Sequence, residues 1–132
     1  MTTAPPPRYQ ADLDLCGRII LTHRLPTLLL SRALGLAPAV AAAVVAGMVD
    51  ALSLGDEGAE RLALFANILT RLGIRLAHDS RAMRRALDRP VDGLNGTTLA
   101  EAIAGDLATL RVLRRAIDDM AEAPTRWWRV GH

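Results

Sequence analysis

Apolar residues recur at intervals of three and four along most of the chain, the spacing of one face of an α-helix. The clearest case is the stretch 56–76, whose single apolar stripe consists of Leu62, Phe65, Leu69, Leu72 and Leu76. Few stretches alternate with a period of two, and the apolar residues are mostly Leu, Ala, Val and Ile. Ala and Leu are strong helix formers, so the pattern predicts an all-α fold.

Turn and cap residues divide this pattern into separate helices. We expect helices at about 10–23, 27–34, 38–47, 56–76, 79–89, from 97 or 98 onward, and at 107–117. Thr98 with Glu101 matches a capping box. Gly93 and Gly96 permit positive φ angles, so the chain can turn sharply after Pro90.

The chain of 132 residues is long enough for one domain with a real core. We predict a Pro-rich leader at 1–8, a helix-turn-helix-like N-terminal module at 9–52 and a helical C-terminal half at 53–120. A C-terminal tail follows at 121–132. The stretch 79–120 is the richest in turn and cap signals, and it contains no catalytic pattern.

The segment 27–47 has the order helix, Gly-containing turn, helix that resembles a helix-turn-helix unit. A recognition helix must present hydrogen-bonding side chains to base edges. The outward positions here are Ala37, Ala39, Ala42, Ala43 and Ala46. These alanines argue against base reading, and we assign no DNA-binding residue. A helix whose outward side chains are all small and apolar can instead pack against another surface, such as a second copy of the chain.

Charge and cysteine content narrow the function classes further. All 16 basic residues are Arg and the net charge is +2, a weaker basic excess than DNA-binding domains usually show. Cys16 is the single cysteine, so no intramolecular disulfide can form, and no signal peptide is recognised. The longest uncharged run, 33–49, contains Gly35, Pro38 and Gly47 and is too short for a membrane span. We therefore expect a cytoplasmic protein.

No residue pattern points to an enzyme. His23, His78 and His132 are far apart in the sequence, and no metal-ligand spacing links them. Gly93 and Gly96 follow a predicted helix rather than a strand, which is not the context of a phosphate-binding loop. We expect no enzymatic activity, no cofactor and no metal site.

The tail carries both tryptophans of the protein side by side. Trp127 and Trp128 are flanked by Arg126 and Arg129. Trp and Arg are the residue types most enriched in binding hot spots. The tail is therefore predicted to anchor the chain in a partner. The alternative is that one or both rings fold back onto the helices.

Residues 61–120 resemble the toxin-binding domain of the Xre/MbcA/ParS antitoxins, through ERLALFANILTRLGIRL, ALDRPVDGLNGTTLAEAI and AGDLATLRVLRRAIDDM. The residues that match the family pattern are Leu87, Pro90, Leu94, Gly96, Thr98, Gly105 and Asp106. The chain departs from the pattern at Ala86, Val91, Asn95 and Leu99, where the family has Trp, Asn, Gly and Pro.

The resemblance implies an antitoxin of a bacterial type II toxin-antitoxin system. Its partner would be a RES-domain toxin that consumes NAD or transfers ADP-ribose, and it would act as a homodimer in a larger complex with the toxin. The residues that we expect to contact the toxin are Asp92, Leu94, Asn95, Gly96, Thr97, Arg126, Trp127, Trp128 and Arg129. The alternative function is a helix-turn-helix DNA-binding regulator that represses its own operon, with DNA contacts supplied by Arg8, Arg24 or Arg32.

Overall fold

The computed structural model describes residues 9–48 and 52–120, and this part of the chain is all-α as predicted. Its helices are α1 (Tyr9–His23), α2 (Leu28–Leu34), α3 (Pro38–Val45), α4 (Asp56–Arg75), α5 (Ser80–Ala86), α6 (Leu99–Ala102) and α7 (Leu107–Asp119). The one β-type contact within the described residues is an isolated antiparallel bridge between Pro90 and Thr98.

Helix α4 is the centre of the core because the other long helices pack against it. It contacts α1, α2 and α7, and α1 also contacts α3 and α5. The predicted stripe of α4 is buried at Leu62, Phe65, Leu69 and Leu72, and Leu76 at its end is partly buried. The 3–4 spacing of α4 thus identified the side on which the core forms.

Helices α2 and α3 are joined by a short turn of the kind found in the helix-turn-helix motif. The turn after α2 begins at Gly35, whose φ is 68°, and the axes of α2 and α3 differ by 115°. This angle falls in the range of about 90–120° that is typical of the motif. The Ser31 hydroxyl donates to the Leu36 carbonyl at 2.5 Å and fixes the turn.

In the described part of the chain, no single helix is long and apolar enough to cross a membrane. Helices α2 and α3 reach that length and composition only when they are taken together as one bent pair.

One local prediction was wrong. Helix α5 ends at Ala86 rather than Arg89, because the Leu87 and Arg89 carbonyls accept hydrogen bonds from the N–H groups of Ala100 and Leu99. Helix α1 ends at His23, which is buried, and Arg24 follows it with φ 54° and is exposed.

Arg61 joins the N-terminal module to the C-terminal half. Its Nε donates to the Ala33 carbonyl at 2.7 Å, at the end of α2. Its two terminal nitrogens donate to the carbonyls of Gly105 at 2.5 Å and Ile103 at 3.1 Å, between α6 and α7. One guanidinium therefore satisfies backbone acceptors from two distant parts of the sequence, a task suited to its rigid fork of donors.

Candidate protein-binding surface

A closed turn connects α5 to α6, and its base is held by backbone hydrogen bonds. The Val91 N–H donates to the Thr97 carbonyl at 2.8 Å, beside the Pro90–Thr98 bridge. Inside the turn, the Leu94 N–H donates to Val91 at 3.1 Å and the Thr97 N–H to Leu94 at 3.0 Å. The turn is therefore a fixed structure, because its backbone groups are bonded to one another.

Three residues near the tip of the turn have left-handed backbone angles. Gly93 and Gly96 have φ of 87° and 84°, as the glycine positions predicted, and Asn95 has φ 52°. Asn is one of the few residues with a side chain that adopts this region readily. Asn95 can therefore stand where the family pattern has a glycine and still keep the turn.

The structure divides the five predicted turn residues into two groups. Asp92, Asn95 and Gly96 are exposed, so they can contact a partner directly. Leu94 and Thr97 are half-buried, and Leu94 packs against the hydrophobic core. Leu94 and Thr97 hold the turn in place and offer a partner less surface than we expected.

The capping box that follows the turn is present as predicted. The Thr98 hydroxyl accepts from the Glu101 N–H at 3.2 Å, and a Glu101 carboxylate oxygen accepts from the Thr98 N–H at 3.0 Å. The hydrogen bonds from the Thr98 backbone and hydroxyl lower the pKa of Glu101. This box fixes where α6 begins relative to the turn.

A second cap orients α7, which runs beside the turn. The Asp106 carboxylate accepts from the Thr109 N–H and from the Thr109 hydroxyl, both at 2.8 Å. These bonds, the backbone bond first, lower the pKa of Asp106.

Val112 extends the turn surface, and sequence reasoning missed it. A Cβ placed on Gly93 would lie 3.9 Å from Val112 Cγ1, so the turn rests beside this side chain. Val112 remains 41 % exposed although Leu113, its neighbour, is fully buried. The signal was present in the sequence, because Val112 and Leu113 are adjacent apolar residues and two neighbours on an amphipathic helix cannot both point to the middle of its apolar face. The one that does not face the core is an apolar group at the surface.

A groove lies between the end of α5, the start of the turn and the last turns of α7, with a volume of about 190 Å³. Two polar side chains, Arg89 and Asp92, stand on its lining and are exposed. The apolar lining is formed by Ala86, Pro90, Val91, Leu99, Leu113, Ala116, Ile117 and Met120. Sequence reasoning could not find this groove, since its walls come from three separate elements.

A larger groove of about 490 Å³ runs along α4 between α1 and α7. Arg71 crosses it and donates to the Asp118 carboxylate at 2.5 Å and to the Asn67 side chain. The Arg71 charge is thereby matched by a neighbour in the same chain. This groove is open and lined by both polar and apolar side chains, and none of its lining residues belongs to the turn.

Two histidines that are distant in the sequence meet in space. The His23 and His78 rings stack with centroids 6.4 Å apart, and His23 Nδ1 lies 2.7 Å from Ser80 Oγ. Stacked rings do not converge on one metal position, and no group of three or more metal-ligating residues occurs within 9–48 and 52–120. Desolvation by burial, with the Asp12 charge, raises the pKa of Cys16 to about 12, so its thiol stays protonated at neutral pH.

The four predicted tail residues, Arg126, Trp127, Trp128 and Arg129, lie outside the described residues, which end at Met120. The structure therefore brings together only the turn residues of the predicted set. It adds Val112 and the groove beside them.

No protein-family model, curated protein or solved structure matches this chain.

Proposed function

We propose that the chain is the antitoxin of a type II toxin-antitoxin system and neutralises a RES-domain toxin by binding it and covering its active site. The observation that carries the proposal is the closed, exposed turn between Pro90 and Thr98. A surface that is fixed before binding loses less conformational entropy on association, which favours tight binding for a given area.

The turn and its surroundings have the composition of a small interface. Asp92 and Asn95 offer a carboxylate and an amide at the tip, and the exposed backbone of Gly96 allows close approach. Val112 supplies an apolar contact beside them. Interfaces commonly combine an apolar centre with a polar rim. The turn surface therefore docks on the rim of the toxin's cleft.

The tail completes the proposal. It enters the active-site cleft, where Trp127 or Trp128 takes the place of the nicotinamide or adenine ring. Arg126 or Arg129 pairs there with an acidic residue of the toxin. A hot-spot contact of this kind is typically worth about 2 kcal/mol or more.

A co-expression experiment with a cognate RES-domain toxin tests the proposal. We expect the full chain to copurify with the toxin and to restore growth. Deletion of residues 124–132 restores toxicity while the circular dichroism spectrum stays unchanged. Full protection by the truncated chain would refute the tail's role, and a full chain that neither binds nor protects would refute the antitoxin proposal itself.

We also propose that this chain is a homodimer in the complex with the toxin. Helix α3, with the sequence PAVAAAVV, has no charged or hydrogen-bonding side chain. Val40 on it is 36 % exposed, and Met48 just beyond it is 79 % exposed. A second copy that covers this face would remove these side chains from water. Light scattering across a dilution series tests the homodimer, and a monomer at every concentration would refute it.

A DNA-binding regulator is the second candidate, because the 115° angle between α2 and α3 suits the motif. Its weakness is the outward face of α3, where the exposed alanines cannot read bases. A mobility-shift assay on the upstream operator at low and high salt tests it. A salt-dependent, sequence-selective shift would favour the regulator, and no shift at low salt would exclude it.

A further inference from the structure

We propose that the groove beside the turn holds one tryptophan ring of the chain's own C-terminal segment, residues 121–132, in the partner-free protein. The groove is the one described above, between α5, the turn and α7. The proposal concerns the free chain, so it stands or falls independently of the toxin.

The size of the groove favours one aromatic side chain over a small-molecule ligand. Its volume is about 190 Å³. Ligand pockets usually enclose about 300–1,000 Å³, whereas an apolar cavity of about 150 Å³ binds benzene. One ring fits the groove, and the two adjacent tryptophans cannot enter it together.

The lining of the groove also suits an aromatic ring. The partly exposed residues Val91, Ala116 and Met120 form its apolar walls, and the buried Leu113 and Ile117 lie beneath them. The Met120 side chain brings a thioether, which makes favourable contacts with aromatic rings, and the Arg89 guanidinium can stack on a ring face.

The segment that carries the tryptophans starts at the groove itself. Met120 is both a lining residue and the last residue before the segment. Trp127 follows seven residues later, and a chain of that length spans up to about 24 Å. Both tryptophans are therefore within reach of the groove without any change in α7.

Charge complementarity supports the same occupant. The tryptophan pair lies between Arg126 and Arg129, and Asp92 exposes a carboxylate on the groove lining. A ring in the groove places a flanking arginine near this carboxylate. The tether further raises the local concentration of the ring to the millimolar range, so even a site of millimolar affinity is about half occupied.

Tryptophan fluorescence tests the proposal directly, because both tryptophans of the protein lie in this segment. Trp127→Phe and Trp128→Phe each leave one ring to observe in the full chain. With a local concentration of about 1 mM and a weak groove affinity of about 1 mM, the docked ring is free in about half of the molecules. Its acrylamide quenching constant should then be about twofold lower than that of N-acetyltryptophanamide.

A matched pair of variants on α7 identifies where the ring is shielded. Ala116→Arg fills the groove, and Ala108→Arg makes the same change at an exposed site outside it. Ala116→Arg should raise the quenching constant to that of the free amide, and Ala108→Arg should leave it unchanged. Equal constants in the two variants would overturn the proposal.

The wild-type measurement decides the question even if a variant fails to fold. If both rings of the wild-type chain are quenched as fast as the free amide, the groove is empty and the proposal is wrong. Dilution from about 100 μM to about 1 μM should leave an intramolecular contact unchanged, since its local concentration is fixed. Shielding that disappears on dilution would assign the groove to a second copy and overturn the proposal.

Discussion

Arg61→Ala should be among the most destabilising single substitutions in this fold. The side chain donates to three main-chain carbonyls, those of Ala33, Ile103 and Gly105. Ala33 and Ile103 are fully buried, whereas Gly105 is half-buried. Water can replace the lost donor at Gly105 more easily than at the other two carbonyls, which are left without a partner.

The magnitude follows from counting these bonds. A hydrogen bond to a charged group contributes about 1.5–3 kcal/mol, and the lower end suits a half-buried arginine. Two buried carbonyls at about 1.5 kcal/mol each and a partly hydrated third at about 0.5 kcal/mol give a loss of about 3.5 kcal/mol. Domains are stable by about 5–15 kcal/mol, so the variant would lose a large share of its stability.

The assay is equilibrium unfolding in urea, with the loss read from the midpoint at a constant m value. Arg61→Lys keeps the charge but cannot reproduce the planar fork, so it should recover only part of the loss. Arg111→Ala is the matched control. Arg111 pairs with Glu60 at 2.6 Å at the surface, where such pairs contribute at most about 1 kcal/mol. The reasoning is refuted if Arg61→Ala costs no more than Arg111→Ala.

Three further predictions concern the caps and turns. Folding lowers the pKa values of Glu101 and Asp106. The stability that their carboxylates contribute to the fold is therefore complete above the unfolded pKa values of 4.5 and 3.8, and it is lost as pH falls through the folded pKa values. Acid titration of the unfolding free energy should show this decline. Gly105→Ala should cost about 1–3 kcal/mol, because the new Cβ would lie 2.7 Å from Thr109 Cγ2; thermal unfolding measures it. Gly96→Val should cost about 1–2 kcal/mol, since φ is 84° and an added Cβ meets no atom within 4 Å, so the cost comes from the backbone; urea unfolding measures it.

Each of these predictions has its own control. The double variant Glu101→Gln, Asp106→Asn should flatten the acid-dependent decline, and an unchanged slope would contradict the cap assignment. Gly55→Ala adds a Cβ that meets nothing within 4 Å, so it should cost less than Gly105→Ala. Gly96→Asn should retain most of the stability, because Asn tolerates the left-handed region. Equal losses of stability for Gly96→Asn and Gly96→Val would indicate that a side-chain contact, rather than the backbone conformation, causes the loss.

The regular parts of the fold follow from local rules. Hydrophobic periodicity predicted α4, and the spacing of Thr98 and Glu101 predicted the capping box. Both features depend on residues that are close in the sequence. Helix α5 is shorter than its pattern, since hydrogen bonds from Leu99 and Ala100 draw its last carbonyls out of the helix. Such a contact depends on the tertiary fold, and periodicity contains no information about it.

The candidate site was only partly predictable for the same reason. The glycines identified the turn and its left-handed tip. Arg61 lies off the apolar stripe of α4, so periodicity assigns it no role, although it binds carbonyls from two other parts of the fold. The groove and the His23–His78 stack likewise need residues that only the fold brings together.

The bridge at the base of the turn has a consequence for how this surface can change during evolution. Because Pro90 and Thr98 are already held together, residues between them that have ordinary backbone angles can be exchanged without moving the start of α6. Loop-closure entropy also rises slowly with length, by about 0.6 kcal/mol per doubling. Asp92 can therefore vary with the partner while the helices keep their sequence. Position 95 can vary only among residues that adopt the left-handed region, because Asn95 has φ 52°.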